Sequence, residues 1–195
     1  MHIAIRFARV ALVLPLLMLL AACATGPRIS SDSDPNADFS RYRSFAFYSP
    51  LAIESQGYAT LTSARIKAAA RRQMESRGYV YDEKSPDLWV NLNAYMQEKT
   101  DVVNTPEVDY DYYYSYRARR YVAVPYWRDR TQVYRYTEGT LNVDLVDARG
   151  NKLVWEGIAV GRVARVKPEE RAARIDAAIA EIFARYPYRA GSGAA

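Results

Sequence analysis

The chain has 195 residues, half of them hydrophobic, with 27 basic and 22 acidic side chains and a formal net charge of +5. That excess is too small, and the bases too scattered, for a nucleic-acid-binding protein, and the length suits one domain. The only histidine, His2, and the only cysteine, Cys23, both lie in the first 23 residues; the remainder excludes Ser-His-Asp and Cys-His nucleophiles, Cys/His metal sites and an internal disulfide. No G-x-G-x-x-G or G-x-x-x-x-G-K-[ST] loop is present, so no cofactor is expected, and any catalysis would fall to carboxylates or lysine.

Arg6 and Arg9 precede an apolar run of 13 residues, Val10 to Ala22. A stable bilayer span needs about 20 residues, so the run predicts the core of a secretory signal over residues 1–22. Its end, Leu20-Ala21-Ala22-Cys23, resembles the bacterial lipobox. That resemblance implies cleavage before Cys23, acylation of its sulfur and amine, and a lipid bilayer as its first partner. Ala24 follows instead of the aspartate associated with inner-membrane retention in enteric-type systems, which places the expected anchor in the outer membrane, facing the periplasm.

Ala24 to Asp38 is rich in Ser, Asp, Pro and Gly with Ile29 as its single large apolar residue, so residues 23–38 read as a flexible tether. Within it Asp32 and Asp34 offer two carboxylates, too few for a metal site. Order is expected from Phe39 to Tyr48, with Phe45 and Phe47 on one strand face and Tyr48 on the other. Thr60 to Gly78 predicts a helix: Ile66, Ala69, Ala70, Gln73 and Met74 recur at helical spacing, a threonine caps the start and Gly78 the end.

After a short extended piece at Tyr79–Tyr81 and a turn at Lys84 to Asp87, Leu88 to Met96 alternates apolar and polar residues, as a half-buried antiparallel strand does. The alternation returns from Gln132 through Val133, Leu141, Val143 and Leu145. Asp147 to Asn151 predicts a hairpin turn and Lys152 to Gly161 the return strand, where Gly157 and Gly161 signal a bulge or close backbone approach. Lys167-Pro168-Glu169-Glu170 opens a last helix, with proline and acids where the first turn favours them. Its apolar stripe is Ile175, Ala178, Ile179, Ile182 and Phe183. Residues 189–195 read as a disordered tail.

Two helices with one stripe each and a sheet with one apolar face predict an α+β two-layer sandwich over residues 39–188. Its sheet is expected to be mainly antiparallel, of about four strands, with both helices on one face. With these elements placed, the chain resembles the domain-of-unknown-function family 4136, a group of bacterial lipoproteins with a tether and one α/β domain. The pieces that carry the resemblance are Asp38-Phe39-Ser40-x-Tyr42-x-Ser44-Phe45-Ala46-Phe47, Ser76-Arg77-Gly78-Tyr79, Pro86-Asp87-Leu88, Gly139-Thr140-Leu141-x-Val143-Asp144-Leu145-x-Asp147, Lys152-Leu153-Val154-Trp155-Glu156-Gly157 and Ile182-Phe183 to Tyr186-Pro187. The resemblance implies an envelope lipoprotein and brings no catalytic residues.

The segment 101–131 is the unusual one. Nine of the chain's 17 tyrosines lie between Tyr110 and Tyr136. A fold-back near Tyr113 to Ser115 would set Glu107, Asp109 and Asp111 against Arg117, Arg119 and Arg120 in a long hairpin. Tyr110, Tyr112, Tyr113, Tyr114, Tyr116 and Tyr121 form the candidate binding surface, since tyrosine gives large contact area with a polar tip. The partners it suits are an envelope protein, a second copy or a glycan; a solvent-exposed hairpin is the plainer reading. The function expected is a non-enzymatic binding or structural role, with a carboxylate-only glycan (peptidoglycan) hydrolase as the alternative, for which Asp144 and Glu156 are the acids to watch.

Overall fold

The computed structural model describes residues 26–194; the predicted signal 1–22 and Cys23 lie outside them. In chain order the elements are β1 (Arg28–Ser33), β2 (Ser44–Phe47), α1 (Leu61–Ser76), β3 (Val80–Tyr81), β4 (Leu88–Ser115), β5 (Arg120–Asp147), β6 (Lys152–Arg162), α2 (Pro168–Phe183), β7 (Tyr188–Arg189) and β8 (Ser192–Ala194). Among the described residues no helix is long and apolar enough to cross a membrane.

The α+β class is as expected, but the sheet has six strands, ordered β1-β6-β5-β4-β2-β3, with β7 and β8 apart as a small hairpin. The two strands beyond the expected four are edge strands. β3 is only two residues long and pairs parallel with β2. β1 is the larger correction, because it lies inside the segment read as tether. Its side chains are mostly exposed, so composition could not mark it. Its contribution is made by the backbone, which pairs antiparallel with β6 from Arg28↔Val160 to Ser33↔Trp155 and so covers an otherwise open edge. Ile29 packs against the core, and Asp34 forms an ion pair with Lys152.

Both helices cover one face of the sheet. Thr60 and Ser63 cap α1 reciprocally, at 3.0 and 2.9 Å, and Gly78 takes the left-handed conformation (φ +86) that ends it. Ile66, Ala69, Ala70 and Met74 of α1 and Ile179, Ile182 and Phe183 of α2 are buried against Leu88, Val90 and Leu92 of β4, Val143 and Leu145 of β5 and Trp155 of β6. Arg72 donates to Asp176 at 2.7 Å and Arg77 to the Phe183 carbonyl at 2.6 Å, tying the helices together. Between Leu145 and Val146 the β5–β6 register slips by one residue, so Val154 is bulged and both it and Trp155 are buried.

The stretch read as a disordered tail is docked. Tyr188 stacks on Phe39 with ring centroids 3.6 Å apart, and the Gly191 N–H donates to the Tyr42 carbonyl at 2.9 Å. Gly191 has φ +68, which lets this composition of small residues turn back on itself.

Candidate interaction surface

The Tyr-rich segment is the outer two-thirds of one hairpin. β6 ends at Arg162, opposite Glu138. Beyond that line, among the described residues, Glu98–Ser115 and Arg120–Thr137 form ladder pairs with each other, with only the Val163 N–H added on the Thr137 carbonyl at the root. At about 3.3 Å per residue this makes an arm about 60 Å long. Valine, threonine and tyrosine favour the extended backbone, but a two-stranded ribbon without a third strand is marginal in water. Its root is clamped by Arg162, which reaches Asp101 at 2.8 Å and lies over the Tyr136 ring at 4.0 Å.

The pairing sorts the arm's side chains onto two faces. Even positions of β4 and odd positions of β5 continue the face that carries the core. There Val102 meets Val133, Val108 meets Trp127, Tyr110 meets Pro125, Tyr112 meets Ala123 and Tyr114 meets Tyr121. Among the described residues no helix reaches this far, so Tyr112 is 65 % and Trp127 73 % exposed. The opposite face carries the ion pairs Glu107 to Arg130 at 2.8 Å and Asp109 to Arg128 at 3.1 Å, interspersed with Tyr113, Tyr126, Tyr134 and Tyr136. These are not the acid–base partners expected. The chain turns at Tyr116–Arg119, a few residues later than the sequence suggests, which shifts every partner. No Asn-Gly signal marks the turn; Arg119 itself takes the left-handed φ of +50.

The Val90 carbonyl accepts from Tyr48 N–H at 2.9 Å, and the Thr137 carbonyl from Val163 N–H at 2.8 Å. The same alternating set, even in β4 and odd in β5, therefore aims its backbone outward along the arm. Pro106 and Pro125 both belong to it. Each removes an outward donor, and proline at such positions blunts an edge against further strand pairing.

Of the six tyrosines singled out, Tyr110, Tyr112, Tyr114 and Tyr121 share the aromatic face, Tyr113 lies on the opposite face and Tyr116 in the turn. Tyr114 packs edge-on against both Tyr116 and Tyr121, at 5.1 and 5.4 Å. Sequence reasoning missed Trp127, which counting by twos from Tyr121 would have reached. Among the described residues Arg117, Arg119 and Arg120 have no acidic partner, so the tip carries uncompensated positive charge.

Asp144 and Glu156, the acids of the hydrolase alternative, are direct cross-strand partners on the sheet face away from the helices, and Asp32 continues the row on β1. Burial pushes the Asp144 carboxyl above the usual carboxylate range, opposed by the 3.2 Å hydrogen bond from Asn91. The depression of about 250 Å³ near Arg77 and Tyr186 is lined by neither Asp144 nor Glu156. Among the described residues no three acids are placed to hold a metal ion.

A carboxyl with a raised folded pKa is least costly when protonated, so its effect on stability worsens as pH climbs from the unfolded value of about 3.9. Asp144→Asn keeps the Asn91 bond and removes the charge. It is expected to raise stability at neutral pH by about 0.5 kcal/mol, with the gain vanishing near pH 3. Urea midpoints at both pH values check this, and an equal effect at both would contradict it.

The sequence profile described as a Domain of unknown function (DUF4136) matches residues 29–188. Among solved structures the chain is similar to a DUF4136 family protein from Bacteroides thetaiotaomicron, with 15 % identity, a TM-score of 0.53, and coverage of 87 % of this chain and 100 % of that one. It is also similar to a PDZ domain protein from Parabacteroides distasonis, with 14 % identity and a TM-score of 0.48 over 83 % of this chain, and spans 36 % of that protein's length. A PelC dodecamer from Paraburkholderia phytofirmans matches with 12 % identity and a TM-score of 0.43, covering 83 % of this chain and 98 % of that one. At 15 % identity the likeness to the DUF4136 family protein is one of fold. No curated protein matches the sequence.

Proposed function

The chain belongs to the DUF4136 family, whose domain spans residues 29–188, and from that premise we propose that it is a lipid-anchored protein of the outer membrane, facing the periplasm, that works by binding and not by catalysis. The lipobox Leu20-Ala21-Ala22-Cys23 supports the anchor, and Ala24 supports sorting outward. The observation that carries the binding role is the arm, where a contiguous aromatic face stands clear of a core that is complete without it. Exposed apolar patches beyond a few hundred Å² mark contact sites on soluble domains.

Metabolic labelling with a fatty-acid analogue tests the anchor. The wild type is expected to be labelled and to fractionate with the outer membrane, whereas Cys23→Ser is expected to be unlabelled and released. Equal labelling of the two would end the reading.

A further inference from the structure

Resting on the anchoring proposed above, we infer that the β4–β5 arm lies along the surface of the anchoring bilayer, its aromatic face in the headgroup layer and its arginine tip on anionic lipid headgroups.

Placement is the first argument. β1 enters the sheet with Arg28 beside Val160, two residues from the β6 end at Arg162, and the arm leaves from that same end. Only residues 24–27 separate Cys23 from Arg28. The five Cα–Cα steps from Cys23 to Arg28 reach about 18 Å at most, so a membrane holding Cys23 lies close to the root of the arm. The arm cannot plunge through that membrane as a lone ribbon. Its outer edges carry unpaired backbone groups that hydrocarbon does not satisfy, so an arm in contact with that membrane takes a course along its surface.

Composition is the second argument. Residues 98–137 contain no Leu, Ile, Phe or Met. Their apolar content is Val, Ala, Pro, Tyr and Trp, and Tyr and Trp are the side chains that settle at the water–lipid boundary instead of the hydrocarbon. Both ion pairs of the outer arm, Glu107 with Arg130 and Asp109 with Arg128, lie on the face opposite Trp127, which leaves the Trp127 face as the one to meet the headgroup layer. Charge is the third: Arg117, Arg119 and Arg120 interleave with Tyr116 and Tyr121 and lack acidic partners among the described residues, and anionic headgroups attract such clusters. The blunted edges at Pro106 and Pro125 favour use of the face over strand addition to a second chain.

The test uses the full lipidated protein in vesicles of phosphatidylethanolamine with and without phosphatidylglycerol, including phospholipid brominated near the headgroup. Of the chain's three tryptophans Trp155 is buried, Trp89 is half-buried on the sheet and Trp127 is 73 % exposed on the arm, so the part of the quenching that Trp127→Phe removes reports on the arm. Quenching is expected in the wild type and lost in Trp127→Phe. It is expected to fall at least twofold when phosphatidylglycerol is left out, or when Arg117, Arg119 and Arg120 are all changed to Gln. Vesicle co-sedimentation reads the anchor separately. Protein that sediments with vesicles but shows no Trp127 quenching overturns the inference while sparing the anchor, as does Tyr112→Cys forming disulfides between copies in place of quenching. Protein that does not sediment overturns both.

Discussion

Trp155→Ala is expected to lower the stability of the domain by about 3–5 kcal/mol, the usual cost of emptying a large aromatic site. For a protein of this length that is a fall in the melting midpoint of roughly 10 °C or more. Trp155 is 1 % exposed and sits between the sheet and α2, with Tyr186 at 5.0 Å and Phe183 at 5.9 Å. Its ring lies over Gly157, where an added Cβ would come within 2.4 Å of the indole and 2.5 Å of Ile182. Gly157→Ala is therefore destabilising alone, and less so once Trp155 is alanine. The double mutant should be more stable than the sum of the singles predicts. Strict additivity in thermal melts would show that the glycine does not make room for the ring. The indole N–H has no acceptor among the described residues, so Trp155→Phe, which removes that donor and keeps most of the volume, should cost much less than alanine.

Asp147→Ala is expected to cost about 2–4 kcal/mol, as loss of a buried, charge-assisted hydrogen-bond hub does. One carboxylate oxygen accepts from the N–H groups of Arg149 at 2.9 Å and Gly150 at 3.3 Å, holding the β5–β6 turn. The other accepts from the Arg41 guanidinium and, at 3.3 Å, from the Tyr42 hydroxyl. One side chain thus joins that turn to the chain just before β2. Burial pushes this carboxyl up, but the two backbone donors, with Arg41, outweigh it and hold it below the usual carboxylate range. A lowered carboxyl adds stability above its unfolded pKa of about 3.9 and loses it as pH falls through the folded value. The difference between wild type and Asp147→Asn should therefore be full at pH 7 and shrink toward pH 3. Asp144→Asn, whose carboxyl is shifted the other way, should change stability with the opposite sign. Urea unfolding of both variants at the two pH values checks the pair, and two effects of the same sign would be inconsistent with these environments.

The helices and the inner strands were legible because their signals are local. Ile66, Ala69, Ala70 and Met74 recur with the period of a helix between a capping threonine and Gly78, and Leu88, Val90 and Leu92 alternate with the period of a strand. The candidate surface was legible as a long hairpin dense in tyrosine. Tyrosine density marked the arm, but which tyrosines share a face depends on the turn position, and Tyr116-Arg117-Ala118-Arg119 carries no turn chemistry strong enough to set it.

By itself, then, the sequence determined the α+β class, the face the two helices cover, the absence of histidine and thiol chemistry after Cys23, and family membership over residues 29–188. Tertiary structure alone decided what depends on backbone pairing between distant segments. The polar stretch Arg28–Ser33 became an edge strand because β6 offered unpaired backbone groups. Residues 188–194 docked because Phe39 and Tyr42 offered a ring and a carbonyl. The arm stands alone because β6 stops at Arg162 while β4 and β5 continue. Side-chain pattern records what a residue buries and not which backbone it pairs with, so the edge strand, the docked tail and the point where the arm leaves the sheet had no local signature to read.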